Sequence, residues 1–346
     1  MAVALIAVMV FSLFSCGGTS QKMERYNASF TGAFDTFTNL TGYAESEEVF
    51  TEYAQYLYDE LLNYHKLFDI YNNYKGINNV KSINDNAGKE AVKVDKKLID
   101  MLSFGTLAYE KTDGYVNIAM GSVLRLWHEE REVAISNPEK TALPNMNELE
   151  DAKTHTKIED VIIDEAKQTV FLKDIEMSLD VGAVAKGYAI EKIARELEAK
   201  GFTSGIINVG GNVRIIGSPT ESSKEFWTVG IQDPDNAHNN ESIIEVLNMK
   251  KGSLATSGDY QRYYIVDSKE YNHIISPKTL MPSDYYKSVS IICDDTAISD
   301  MLSTYIFMID YDSALAVINN FENVEIYCVL KDGKIHYTDG LKSMMQ

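Results

Sequence analysis

The stretch SLDVGAVAKGYAIEKIARELEAKG spans residues 178–201, and IINVGGNVRIIG follows over residues 206–217. Its first residues, 178–182, read as a strand that turns at Gly182. Helical periodicity then runs to Lys200, and Gly201 is suited to the C-cap. Two β-rich runs flank Gly210-Gly211, a pair that favours either a tight hairpin or close backbone approach to a ligand. A helix followed by a hairpin is not the βαβ repeat of a doubly wound sheet. Working outward, residues 47–66 place Val49, Phe50, Tyr53, Tyr56, Leu57, Leu61 and Tyr64 at helical spacing, and residues 95–111 predict a second helix. IEDVIID and TVFLKD predict strands joined by a short turn, and WTVGIQD, YYIVDSK and VEIYCVLK predict more strands. Residues 296–308 predict a helix with Asp294 and Asp295 placed to cap it. The expectation is one α+β domain over residues 30–346, with mixed, largely antiparallel sheets packed by helices.

Acidic residues outnumber basic ones 51 to 32, for a formal charge of −19. Such a surface repels phosphate backbones, so no nucleic-acid partner is expected. Cys16, Cys293 and Cys328 are too few for a disulfide framework and lack the paired spacing of a zinc site. Residues 2–15, AVALIAVMVFSLFS, carry no charge and are too few to span a bilayer, which takes roughly 20 residues. They suit a signal-peptide core over residues 1–15. Leu13-Phe14-Ser15-Cys16 resembles a bacterial lipobox, although Phe14 is bulkier than the usual occupant. That resemblance implies a diacylglyceryl group on Cys16 and an extracytoplasmic, membrane-anchored protein. Residues 16–29, small and polar, read as a tether reaching at most roughly 40 Å.

Four constellations carry chemical potential. Asp180, Gly182 and Lys186 stand where an extended segment enters a helix. Free N–H groups and a positive dipole end meet there, suiting a phosphate, with Lys186 adding a point charge; the plain alternative is a surface lysine. No GxxxxGK[ST] occurs, and Gly210-Gly211 lacks the third glycine of a dinucleotide fingerprint. The segment LATSGDY, residues 254–260, offers small hydroxylated residues for a polar ligand, with His273 in HIISP beyond it; GxSxG is absent. Asp300 and Thr304 share a helical face at i and i+4, and their hard oxygens suit Mg²⁺, unless Asp300 serves only the helix dipole. His128-Glu129-Glu130-Arg131 is not HExxH and makes no metalloprotease.

Taken together and in this order, the segments resemble the ApbE family of FAD:protein FMN transferases. The resemblance rests on LDVGAVAKGYAIEKIARELEAKGF, IINVGGNVRIIG, WTVGIQDP, LATSGDYQRYY, HIISPKT and SDMLST. Weaker matches lie upstream at 34–36, 82–84 and 112–118. It implies Mg²⁺ held by the Ala183 carbonyl, Asp300 and Thr304, and FAD contacts from Asp180, Lys186 and Ile275. Tyr115, Val116 and Asn117 match a flavin-holding segment, with Phe34 near it, and His273 matches a histidine implicated in the chemistry. The chain departs from the family at Asn117 and Ser276, where Asp is common, and at Leu280, where Gly is usual. The implied activity is Mg²⁺-dependent transfer of FMN from FAD to a Thr or Ser hydroxyl of an acceptor flavoprotein in an electron-transfer system, with release of AMP. His273, with a pKa near working pH, is the expected proton acceptor. The alternatives are an FAD pyrophosphatase, with water as acceptor, and a non-catalytic FAD-binding lipoprotein.

Overall fold

The computed structural model describes residues 7–10, 22–221, 224–237 and 242–346; Cys16 lies outside them. Strands β1 (Ala7–Val10), β2 (Glu24–Ala33) and β3 (Thr36–Ala44) come first. Helix α1 (Glu47–Phe68) follows, capped by Ser46 and acidic in its first turn, and it buries Phe50, Ala54, Leu57, Leu61 and Tyr64 along one face. Next come α2 (Val80–Asp85), β4 (Val92–Lys93), α3 (Lys96–Lys111), α4 (Gly121–Ser136) and α5 (Met146–Lys153). Strands β5 (Val161–Asp164) and β6 (Thr169–Leu172) join β4 in a small sheet. Helix α6 (Ala185–Ala199) leads to β7 (Gly205–Val209) and β8 (Asn212–Ile216). β9 (Trp227–Gln232) and β10 (Ile243–Met249) form a ribbon, followed by β11 (Gly252–Gly258) and the hairpin of β12 (Tyr263–Val266) and β13 (Lys269–Asn272). The chain closes with β14 (Tyr286–Cys293), α7 (Thr296–Phe307), α8 (Tyr311–Ile318), β15 (Glu325–Leu330) and β16 (Ile335–Tyr337).

The main sheet has the order β1-β2-β3-β7-β8-β11-β14-β15-β16. All its ladders are antiparallel. Helices cover one face, where Leu40, Ile207, Val289, Ile291 and Ile326 meet Leu57, Ile193 and Leu302. The β9–β10 ribbon covers the other, over Val213, Ile215, Leu254 and Ile292. Strands β8 and β14 are therefore buried on both faces. A third apolar cluster joins Val123 and Trp127 of α4 to Leu149, Tyr264, Ile275 and Leu280. The functional cavity lies between it and the main core.

Strand alternation turns Arg214 of β8 toward the helices, where its Nε donates to Glu191 Oε2 at 3.0 Å. The same carboxylate accepts from Thr296 N at 2.9 Å and from Arg195 Nε at 2.8 Å, so one acid ties β8, α6 and α7 together. Burial opposes ionisation of Glu191, but Arg214, the Thr296 N–H and Arg195 hold its carboxyl below the ordinary value. Its contribution to stability is therefore present above about pH 4.5 and is lost as pH falls through the lowered native value. Glu191→Ala is expected to destabilise the protein by about 3–5 kcal/mol, because it leaves the buried Arg214 with the more distant Glu198, 3.6 Å away. Urea denaturation measures this, and an unchanged midpoint would contradict the account.

Three local expectations are corrected. Residues 24–29, expected in the tether, form the first part of β2 with Tyr26 and Ala28 buried, and residues 7–10 of the expected signal segment pair with them as β1. Residues 178–181 belong to no strand, and their backbone groups bond to non-strand partners. Gly121 N donates to Ser178 O at 3.0 Å, and Asp180 N donates to Ile118 O at 2.9 Å. Asn84 brackets Leu179, its Oδ1 accepting from Leu179 N at 2.7 Å and its Nδ2 donating to Leu179 O at 3.0 Å. At the start of α7, Asp295 alone caps, accepting from the N–H groups of Ala297 and Ile298. Asp294 instead accepts from Asn323 at 3.2 Å.

Candidate active site

A cavity of about 510 Å³ opens between the α4 and β12–β13 lobe and the main core. Phe34, Tyr115, Val116, Asn117, Asp180, Ala183, Lys186, His273, Ile275, Asp300 and Thr304 all line it. Residues up to 270 positions apart in the chain thus converge on one space, and only Cys16 falls outside the described residues.

The convergence depends on the crossing of α6 and α7. Helix α6 has no side-chain cap of its own, and its first backbone bond runs from Tyr188 N to Val184 O. The free N–H of Gly187 instead donates to Asp300 Oδ2 of α7 at 2.8 Å. Only glycine allows this approach, since a Cβ on residue 187 would lie 2.4 Å from Asp300 Cβ and 2.4 Å from Thr296 O. Asp300 is 9% exposed. Burial raises its pKa, opposed by Lys186, by the nearby Asn212 amide and by the Gly187 N–H. The Asn212 Nδ2 is buried yet has no hydrogen bond of good geometry among the described residues. Thr304 donates its hydroxyl proton to Asp300 O at 3.3 Å, leaving oxygen lone pairs for another partner. The Ala183 carbonyl, the Asp300 carboxylate and the Thr304 hydroxyl are all hard oxygen donors. Three such donors fit Mg²⁺, with the rest of its shell left to water and phosphate.

A cluster of cations faces this acid. Burial pushes the Lys186 ammonium down, Asp300 opposes the shift, and Arg262 adds to it. Asp180 is raised by burial, against its hydrogen bond from Gly182 N and the nearby His128 and Arg262. His273 is pushed down to about 4 by burial and by Arg262, Arg131 and Lys186. That corrects the expected pKa near working pH: the imidazole is neutral there. Its Nδ1 lies 3.2 Å from the Arg262 carbonyl, which can only accept, so Nδ1 carries the proton and Nε2 keeps a free lone pair.

The other wall is aromatic and apolar. Phe34 and Asp35 form the β2–β3 turn at φ 52° and 51°, a left-handed conformation that a bulky residue seldom adopts. Phe34 N donates to His65 Nδ1 at 3.2 Å. Tyr115 packs against Tyr305 at 5.2 Å, with the Lys278 ammonium 5.1 Å from its ring. Asn117 lines the cavity, but its amide is engaged: Nδ2 donates to Thr156 O at 2.9 Å, and Oδ1 accepts from Ala119 N at 2.9 Å. Aspartate could not make the first of these bonds. Leu280 keeps the left-handed turn at φ 61°, held by its buried side chain and by Trp127 Nε1 donating to its carbonyl at 3.0 Å.

Gly210 and Gly211 form a two-residue turn between paired Val209 and Asn212, at φ 57° and 91°. The hairpin reading is the observed one, and Gly210 also touches the cavity. Several lining residues went unrecognised in the sequence. His128 and Arg131 face the cavity from α4, one turn apart, with Arg131 donating to His128 Nδ1 at 2.7 Å. Arg262, Tyr71 and Tyr264 join them, and the Tyr264 hydroxyl is buried without a hydrogen-bond partner among the described residues. The i, i+3 spacing of His128 and Arg131 was the available signal, but it does not say which way α4 faces.

Comparison with known proteins fits this geometry. The sequence model of the ApbE family matches residues 34–328. The chain is 28% identical to the FAD:protein FMN transferase of Treponema pallidum over 272 residues, which is 75% of this chain and 73% of that protein. It is 25% identical to the FAD:protein FMN transferase of Vibrio cholerae over 316 residues, 90% of this chain and 89% of that one. The crystal structure of the ApbE protein of Thermotoga maritima superposes with a TM-score of 0.80 at 28% identity, covering 93% of this chain and all of that one. The flavin transferase ApbE from Vibrio cholerae shares the fold, with a TM-score of 0.73 at 21% identity over 93% of this chain and all of that one. With its match running from the Phe34 turn through β14 and α7 into β15, this chain belongs to the ApbE family.

Proposed function

We propose that this chain transfers FMN from FAD to a hydroxyl of an acceptor flavoprotein, with AMP as the leaving group. The observation that carries the reading is the Asp300–Gly187 contact. It joins α6, which carries Lys186, to α7, which carries Asp300 and Thr304, and these line with Ala183 and His273 one cavity large enough for part of a dinucleotide. Ala183, Asp300 and Thr304 would hold Mg²⁺, which when bound neutralises diphosphate charge and eases departure of AMP. Lys186, Arg262 and Arg131 add positive charge where phosphate oxygens would lie. Tyr115, Phe34 and Ile275 offer an apolar surface to the flavin ring. An acceptor Thr or Ser oxygen attacks the flavin-side phosphorus, the bond to the bridging oxygen breaks, and AMP leaves with the electron pair. His273 Nε2 accepts the hydroxyl proton.

The test is incubation with FAD and Mg²⁺, with and without a co-expressed acceptor flavoprotein, read by in-gel flavin fluorescence and AMP release. Labelled acceptor is expected. Free FMN and AMP with no labelled protein would establish the pyrophosphatase reaction instead, and bound, intact FAD would establish a binding protein. For His273, kcat/KM should stay level from pH 7 down to about 5, since the free imidazole remains neutral there. An acid limb centred near 6.5 would contradict that assignment. His273→Gln should lower the rate by about 10²-fold or more.

We also propose that Cys16 carries a lipid anchor, on the strength of the apolar run and the lipobox-like LFSC. Cys16→Ala should then move the protein from the membrane fraction to the soluble one, and an unchanged distribution would refute the anchor. Among the described residues no helix is long and apolar enough to cross a membrane.

A further inference from the structure

On the far side of α4 from the cavity lies a second concavity, shaped by α5 and the loop after β6. Asp151 and His155 lie at i and i+4, on the last turn of α5 and just beyond it, so they share a face. Glu176 approaches from the loop, and one ligating atom from each of the three residues falls within 4.8 Å of the others. Carboxylates engage this histidine at both ring nitrogens, as in an ion pair, so a metal binding at Nε2 takes the place of that nitrogen's proton. Asp174 Oδ2 holds Nδ1 at 2.6 Å, and Nε2 points at Glu176 Oε2 at 3.2 Å. Asp174 is itself fixed, its Oδ1 accepting from Glu176 N at 2.9 Å. A carboxylate behind one ring nitrogen, with the other nitrogen aimed at further carboxylates, is the arrangement that orients a metal-ligating histidine.

We propose that Asp151, His155 and Glu176 bind a divalent transition metal of the zinc class, with Asp174 as the positioning residue for His155. One imidazole nitrogen and two carboxylates, completed by water, suit Zn²⁺ at bond lengths near 2.0–2.2 Å, and closing the set needs only small movements of exposed side chains. The nitrogen donor favours a transition metal over Mg²⁺, which prefers an all-oxygen shell. The ion would fasten two segments that frame the cavity. One is the α5 turn, which accepts from Ser122 Oγ at Ala152 O (2.9 Å) and from Asn117 Nδ2 at Thr156 O (2.9 Å). The other is the loop leading to Ser178 and Asp180, which bond to Gly121 and Ile118. Asn117 and Asp180, both cavity residues, thus hang from the two sides of the clamp.

The test uses the full chain stripped of metal and carrying Asp300→Asn, so that the cavity oxygens are disabled. Zn²⁺ is titrated calorimetrically in the presence of millimolar Mg²⁺, with Co²⁺ absorption as a second probe. One equivalent bound at micromolar Kd or tighter is expected, with a higher Tm. His155→Gln and Glu176→Ala should each weaken it at least about 100-fold, and Asp174→Asn about 10–100-fold. Glu176 is exposed, so its removal leaves the core intact, and melting curves without metal confirm the fold of each variant. Absence of saturable Zn²⁺ binding, or binding unchanged in His155→Gln and Glu176→Ala, would overturn the site. These readouts do not involve flavin transfer, so their outcome is independent of the activity proposed above.

Discussion

Asp300→Ala is expected to abolish flavin transfer, lowering kcat/KM by at least about 10³-fold, or roughly 4 kcal/mol of transition-state stabilisation. The carboxylate has two tasks: Oδ2 accepts the Gly187 N–H at 2.8 Å, and the remaining lone pairs face the cavity. Asp300→Asn separates them. Its amide oxygen can still accept from Gly187, so the melting temperature should stay close to that of the wild type, while loss of the negative charge still removes transfer. A time course of acceptor fluorescence, paired with thermal melts, distinguishes loss of fold from loss of chemistry. Undiminished labelling by either variant would refute the assignment of Asp300 to the metal.

Gly187→Ala is the second variant with a large expected effect. Alanine is worth up to about 1 kcal/mol over glycine inside a helix, which by itself would stabilise α6. Here the new methyl would meet Asp300 Cβ and Thr296 O, each at 2.4 Å. Neither atom can rotate away, so α6 and α7 must separate. Overpacking of this kind is worth about 1–3 kcal/mol, enough to outweigh the helix-propensity gain. The larger consequence is chemical, since displacing Asp300 by about 1 Å can cost about 10²-fold in rate. A lower Tm together with transfer reduced about 10²-fold below that Tm is the expected result. A raised Tm with full activity would show that α6 and α7 adapt without disturbing the site.

Helices α1, α3 and α7 were legible because their apolar residues repeat every three or four positions and a capping side chain stands ahead of each, whereas α6, without one, was legible from its periodicity. Ser46 ahead of α1, Asp95 ahead of α3 and Asp295 ahead of α7 all accept from first-turn N–H groups. The β7–β8 hairpin was legible because two successive left-handed residues are most easily supplied by Gly-Gly. The segment before α6 misled, because alternating side chains mark a strand whether or not a ladder exists. Here Asn84, Ile118 and Gly121 took the backbone bonds that a neighbouring strand would have taken.

What the sequence by itself determined is the chemical inventory: Asp180, Gly182 and Lys186 at a helix entry, His273 beyond a hydroxyl-rich segment, and Asp300 with Thr304 on one helical face, while Ala183 came only with the family resemblance. Local spacing suffices for those, because each group lies within a few residues of its own motif. Only the tertiary structure decided that they share one cavity. It also decided that His128, Arg131 and Arg262 complete the cavity's charge, and that burial beside those cations leaves His273 neutral. The reason is physical. A contact such as that between Gly187 and Asp300, and a pKa set by desolvation, depend on which elements pack together across more than a hundred residues of chain. That packing is written in the whole core and in no single motif.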